Sequence, residues 1–211
     1  MLSVLQNIAT LAATAVGVYV AVGGLHAWRR ETMGRRDIEL CQTVIEKFYE
    51  AEHKISRLRS PMSYFEEGSS RKPEIDETEE ETNRRNLNFV PIARFNAQYD
   101  FWAEFLGYRF RMRALFGDRA VAPFTSVDAA LRSFRAAAVT RSQALYKNPN
   151  GLNLETLRSF EEVIWEHSSD DAISKQIKQA IVDMEAVCIP IVRANSRSWL
   201  THVWYNGLGG I

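Results

Sequence analysis

The chain divides into stretches with different hydrophobic rhythms. From Leu2 to Leu25 it reads LSVLQNIATLAATAVGVYVAVGGL, an apolar run whose only polar members are Ser3, Gln6, Asn7, Thr10, Thr14 and Tyr19. At about 1.5 Å per residue a helix of this length covers roughly 36 Å, enough for a hydrocarbon core of about 30 Å with some tilt. Past Arg36 the rhythm becomes amphipathic. Ile38, Cys41, Ile45, Phe48, Ile55 and Leu58 mark one face of a long helix, and Pro61 ends it. Gly34 permits either a bend between anchor and stalk or an uninterrupted helix.

Residues 61–86 break the pattern with Gly68, Ser69, Ser70 and Pro73, then place Glu74, Asp76, Glu77, Glu79, Glu80 and Glu81 close together. This composition predicts a long exposed acidic loop, a solvated connector or a docking segment. From Leu87 to Phe116 aromatic residues crowd the chain. Phe95, Tyr99, Trp102 and Leu106 form one stripe, and Phe101, Phe105, Tyr108, Met112 and Leu115 a second, which predicts a central helix packed on both sides. Gly117 and Asp118 end it. Ser126 is placed to cap a helix lined by Val127, Ala130, Leu131, Phe134 and Ala138. Residues 146–151 read as a turn, Asn153 as the cap of a short helix, and Ser169 as the cap of a final one. That last helix carries Ile173, Ile177, Ile181, Met184, Cys188 and Ile191, and Pro190 should kink or shorten it. No period-two alternation occurs. The expected fold is all-α: a transmembrane anchor at 1–28, a juxtamembrane stalk helix at 29–60, the acidic loop at 61–86 and an antiparallel cytosolic bundle of four or five helices at 87–211.

Charge sharpens the first segment. The chain has 26 basic and 26 acidic residues, yet none of them falls before Arg29. Basic residues follow the apolar run instead of preceding it, unlike a cleaved signal peptide. Arg29, Arg30, Arg35 and Arg36 hold that flank in the cytoplasm and meet anionic lipid, with His26 and Trp28 at the interface, so the anchor runs N-outside and C-inside. Ala13, Gly17 and Ala21 recur every four residues and form a flat stripe for helix packing, hence self-association or a membrane protein partner. The balanced charge argues against a nucleic-acid partner, and Arg57, Arg59, Arg71 and Lys72 have nearby acids to pair with.

Candidate chemistry is sparse. Cys41 and Cys188 lie on apolar stripes and read as core thiols. Glu50 and His53 have the Glu-x-x-His spacing of di-iron bundles, but no second copy exists and Glu166 is adjacent to His167, so no metal or other cofactor is expected. Asp100, Glu104 and Arg109 are the weak catalytic candidates, being ionisable groups among aromatics on one helix, and salt bridging explains them equally well. No nucleophile elbow, phosphate loop or dinucleotide fingerprint is present.

The segment GGLHAWRRETMGRRDIELCQTVIEKFYEAEHKISRLRSPM, residues 23–62, resembles bacterial single-span inner-membrane proteins in which a spanning helix passes through a Trp-Arg junction into a long cytosolic helix ending at an Arg-Ser-Pro turn. The resemblance implies topology alone. The function expected is a membrane-anchored interaction or oligomerisation module, with a stress or phage-defence sensor or effector subunit as one form of it. The alternatives are a membrane-perturbing oligomer and an enzyme with a pocket in the bundle.

Overall fold

The computed structural model describes the backbone of residues 2–64, 66–147 and 152–207; within the helices, the side chains of 2–13, 15, 25–31 and 194–207 lie outside the described residues. Helices α1 (Leu2–Leu58), α2 (Glu79–Ala97), α3 (Tyr99–Phe116), α4 (Ala122–Lys147), α5 (Leu154–Ile164) and α6 (Ala172–Gly207) follow in order, with a 3-10 turn at Asp118–Ala120. No strand occurs among the described residues, so the chain is all-α. Also among the described residues, no helix is long and apolar enough to cross a membrane. The all-helical expectation therefore stands, while most side chains of the expected spanning segment at 1–28 lie outside the described residues.

Two compact units can be distinguished: residues 1–42 with 190–211, and residues 43–189. The second holds most of the core, and its first element is the later half of α1. The part of the expected stalk helix from Thr43 onward belongs to this unit. Val44, Phe48, Ala51, Ile55 and Leu58 are buried at steps of four and three, the spacing that keeps one helix face against a core. Gly34 leaves α1 uninterrupted.

Phe48 of α1 meets Phe105 of α3 and Phe124 of α4 edge-on, both with ring centroids 4.9 Å apart, and Phe105 and Phe124 close the triangle at 5.2 Å. Such tilted contacts set positive ring edges against negative ring faces. The aromatic segment is not one helix with two buried stripes. Gln98, at φ −107° and ψ 9°, leaves the helical region and separates α2 from α3. In α3 only Trp102, Phe105 and Met112 are buried, while Tyr99, Phe110 and Leu115 face outward. Among the described residues the segment 87–211 by itself holds five α-helical segments; the second unit, in which the later half of α1 joins α2 to α6, contains six. Its central element is α4, where Phe124, Val127, Leu131, Phe134 and Ala138 are all buried. That helix begins before Ser126, because Pro123 sits in its first turn, where a missing N–H costs nothing.

The acidic segment is more ordered than its composition predicts. Thr78 and Glu81 form a capping box that starts α2: Glu81 N donates to Thr78 Oγ1 (3.3 Å) and Thr78 N to Glu81 Oε2 (3.2 Å). Glu79, Glu80 and Glu81 thus occupy a first turn, where the helix dipole favours negative charge. Ahead of it, Glu77 is buried between two guanidinium groups. Arg71 Nη1 donates to its Oε1 at 2.7 Å and Arg85 Nη1 to the same oxygen at 2.6 Å. These bonds, Arg71 foremost, hold the Glu77 carboxyl far below the usual carboxylate range against the opposing effect of its desolvation. Gly68 is required by a close approach: a Cβ there would lie 1.9 Å from the Asn86 carbonyl oxygen of α2.

Asn153 caps α5 as expected, accepting from Glu155 N at 3.1 Å. Asp171, not Ser169, caps α6, accepting from Ser174 N at 2.8 Å. Pro190 lies inside α6, which continues to Gly207 without being shortened.

Candidate functional site

Four α1 positions, Tyr49, Glu52, His53 and Ser56, fall at i, i+3, i+4 and i+7 and share one helix face. That face borders a polar cleft of about 410 Å³ whose far wall is Glu166 and Ser169 of the α5–α6 connection and Lys178 of α6. A single side chain holds the far wall in place. Arg59, one turn past Ser56, is 1% exposed and donates through Nε to Val163 O (3.0 Å) and through Nη2 to Glu162 O (3.2 Å) and Trp165 O (2.9 Å). These are carbonyls at the C-terminal end of α5, which have no helical partner. Its Nη1 donates to Asp171 Oδ1 at 2.9 Å, joining the end of α5 to the cap of α6. The backbone completes the bond set, with Glu166 N donating to Arg59 O at 2.8 Å.

The polar groups inside the cleft are largely paired with one another. Ser56 Oγ donates to Glu166 Oε2 at 2.7 Å. Tyr49 donates its hydroxyl to Glu185, and this bond, helped by partial desolvation, raises the Tyr49 pKa and keeps the phenol neutral. Lys178 Nζ donates to Ser169 O at 2.8 Å. His53 makes no hydrogen bond among the described residues. A serine nucleophile needs a base positioned to take its proton and a third group to orient that base. Here the Ser56 hydroxyl donates to a carboxylate and the imidazole one turn away stands apart, so these side chains do not form the nucleophile–base arrangement of acyl transfer.

The residues expected from sequence are placed elsewhere. Asp100 is exposed. Glu104 is half-exposed and pairs with Lys47 (3.5 Å), and the Arg109 guanidinium lies over the Phe110 ring at 4.8 Å. None of the three lines the polar cleft, and they form no common site. Glu50 of the Glu-x-x-His pair is spent in ion pairs with Lys47 (3.3 Å) and Lys54 (3.4 Å). Among the described residues no group of three His, Cys, Asp or Glu side chains is placed to hold a metal ion. Cys41 and Cys188 are both buried. In the leader, Gly17, Ala21, Arg35 and Arg36 are exposed; the side chains of Ala13, His26, Trp28, Arg29 and Arg30 lie outside the described residues. Arg59 was expected only to pair with a nearby acid; its burial among the α5 carbonyls and the cleft were missed. The i, i+3, i+4, i+7 polar spacing on α1 was visible, but that spacing is also what any solvated helix face shows. No family model, curated protein or solved structure matches the chain.

Proposed function

We propose that the protein is a membrane-attached helical binding module, with residues 2–25 in the lipid of a bacterial inner membrane, the N-terminus outside, and the helical body on the cytoplasmic side. One observation carries the reading. Val16, Val18, Tyr19, Val20 and Val22 are each about half or more exposed. At roughly 100° per residue these positions, together with Gly17 and Ala21, which are also exposed, surround α1. A helix of a water-soluble body hides one apolar face; a helix apolar all round needs lipid or a surrounding core. Leaving such side chains in water costs about 25 cal/mol for each Å² of apolar surface. The absence of charge before Arg29 and the arginines at 29, 30, 35 and 36 supply the orientation. The body then presents surfaces to a second copy or to a membrane protein partner.

The test is alkaline carbonate extraction of membranes from cells producing the full chain or a chain lacking residues 2–28. Retention of the full chain in the pellet, with release of the shortened one, supports the reading. A full chain recovered in the supernatant overturns it.

A further inference from the structure

The later turns of α3 and the turn that follows carry charge that the body does not cancel. Between residues 105 and 127 the chain has four arginines, Arg109, Arg111, Arg113 and Arg119, and a single acid, Asp118. Asp118 is engaged by Arg113, Nε to Oδ1 at 2.9 Å. Glu104, the acid that precedes them on α3, pairs with Lys47 of α1 at 3.5 Å. Arg111 and Arg119 are exposed and form no ion pair among the described residues.

Apolar side chains stand among these arginines. Gly107, Phe110, Arg111 and Ala114 fall at i, i+3, i+4 and i+7, share one helix face and are all exposed. Phe110 is 64% exposed, and Leu115, at the border of that face, 53%. The direction of α3 places the face within its unit. Lys54 Nζ lies over the Phe101 ring at 4.7 Å and Phe48 meets Phe105 at 4.9 Å, so α3 runs back along the later half of α1. Its arginine-rich end lies toward Thr43, where the chain enters the unit.

We propose that the C-terminal half of α3, together with Arg119, rests on an anionic lipid surface, with Phe110 and Leu115 entering the boundary between head groups and acyl chains and the arginines donating to phosphate oxygens. Charge complementarity selects this occupant. A second copy would set arginine against arginine. A nucleic acid would satisfy the guanidinium groups but leave Leu115 in water, whereas a bilayer meets apolar side chains and long-stemmed cations at two depths. Planar guanidinium forks also suit phosphate better than a point charge does. The contact extends the membrane reading above without requiring that residues 2–25 span.

The test attaches a nitrobenzoxadiazole fluorophore to the full chain at Ala114→Cys, an exposed position between Phe110 and Leu115. Cys41 and Cys188 are buried, and the parent chain labelled in parallel gives their background. Nanodiscs are made from phosphatidylcholine alone or with about one-third phosphatidylglycerol, both containing a spin-labelled lipid that quenches at head-group depth. Quenching is expected in the anionic discs and should fall to the neutral level in about 0.5 M salt, where screening leaves charges a reach of only a few Å. Arg111→Gln combined with Arg119→Gln should lower the contact equilibrium about 25-fold, about fivefold for each arginine. Phe110→Ser combined with Leu115→Ser should abolish the quenching with all four arginines in place. All four replaced positions are exposed, and an unchanged circular dichroism spectrum and melting curve check that the fold persists.

The proposal is overturned by an absence of quenching in anionic discs, by equal quenching in neutral ones, or by quenching that survives either double replacement. A label that polyuridylate RNA shifts in neutral discs as strongly as anionic lipid does gives the face to nucleic acid and overturns it too. Carbonate extraction reads the span and quenching at residue 114 reads this face, so each can fail alone. A chain that carbonate releases is mixed with vesicles of the same lipids and read in the same way.

Discussion

Arg59 and Asp171, separated by 112 positions in sequence, meet as an ion pair: Nη1 donates to Oδ1 at 2.9 Å, and Nη2, whose hydrogens go to Glu162 O and Trp165 O, lies 2.9 Å from Oδ2. The guanidinium is almost wholly buried, and the hydrogens not given to Asp171 go to the carbonyls that close α5. One planar fork therefore finishes one helix, caps the next through its partner and bonds the pair to the end of α1. A lysine cannot reproduce this, because its ammonium is a point charge without the fork geometry. Arg59→Lys should lower the unfolding free energy by about 3–5 kcal/mol, the usual cost of breaking a buried pair. Urea denaturation checks it, and a loss below about 1 kcal/mol would show that the fork is dispensable.

The same pair sets an acid limit on stability. Burial pushes the Asp171 carboxyl upward, but the Arg59 guanidinium and the Ser174 backbone N–H outweigh it and leave the pKa below its ordinary 3.8. A carboxylate depressed on folding adds stability that is present above its unfolded value and lost as pH falls through its folded value. Denaturation at pH 7, 5 and 3 should therefore show a gap between the parent and Asp171→Asn that is constant down to pH 5 and narrows at pH 3. A gap as wide at pH 3 as at pH 7 would contradict this.

Packing in α3 distinguishes aromatic residues that look alike in sequence. Phe105 is fully buried in the triangle with Phe48 and Phe124, whereas Phe110 is 64% exposed. Phe105→Ala should cost about 3–5 kcal/mol, and Phe110→Ala within about 0.5 kcal/mol of zero. Equal losses would mean that α3 buries both faces after all.

The segment before α2 depends on the contact at Gly68. Gly68→Ala drives a methyl group into the Asn86 carbonyl and should destabilise by about 1–3 kcal/mol, as overpacking does. Ser70→Ala, at an exposed neighbour, serves as the control. Limited proteolysis should cut the Gly68→Ala chain faster between residues 61 and 78 and leave Ser70→Ala unchanged; identical digestion of the two would remove the argument.

A Cβ added at Gly17 meets nothing within 4 Å, so a larger residue there disturbs no packing within the chain itself. If copies associate through the stripe of Ala13, Gly17 and Ala21, Gly17→Leu should abolish dimers trapped by crosslinking in native membranes while leaving monomer yield unchanged. Dimers persisting at the parent level would place the association elsewhere.

Periodicity alone was enough for the all-helical class, for the caps at Asn153 and the breaks at Pro61 and Gly117, and for most of the buried positions on α4 and α6. These are local properties: a 3.6-residue rhythm, a side chain that bonds a nearby N–H, a ring or glycine that ends a helix. The capping box of Thr78 and Glu81 was equally local and legible, but the surrounding run of acids obscured it. Tertiary structure decided what depends on partners far along the chain. Phe105 and Phe110 have the same chemistry, and only the arrival of Phe48 and Phe124 makes one of them core. Arg59 looks like any surface arginine until α5 and α6 bring unpaired carbonyls and a carboxylate around it. The polar cleft likewise exists only between helices, because a sequence specifies which face a residue occupies and leaves to packing what stands opposite.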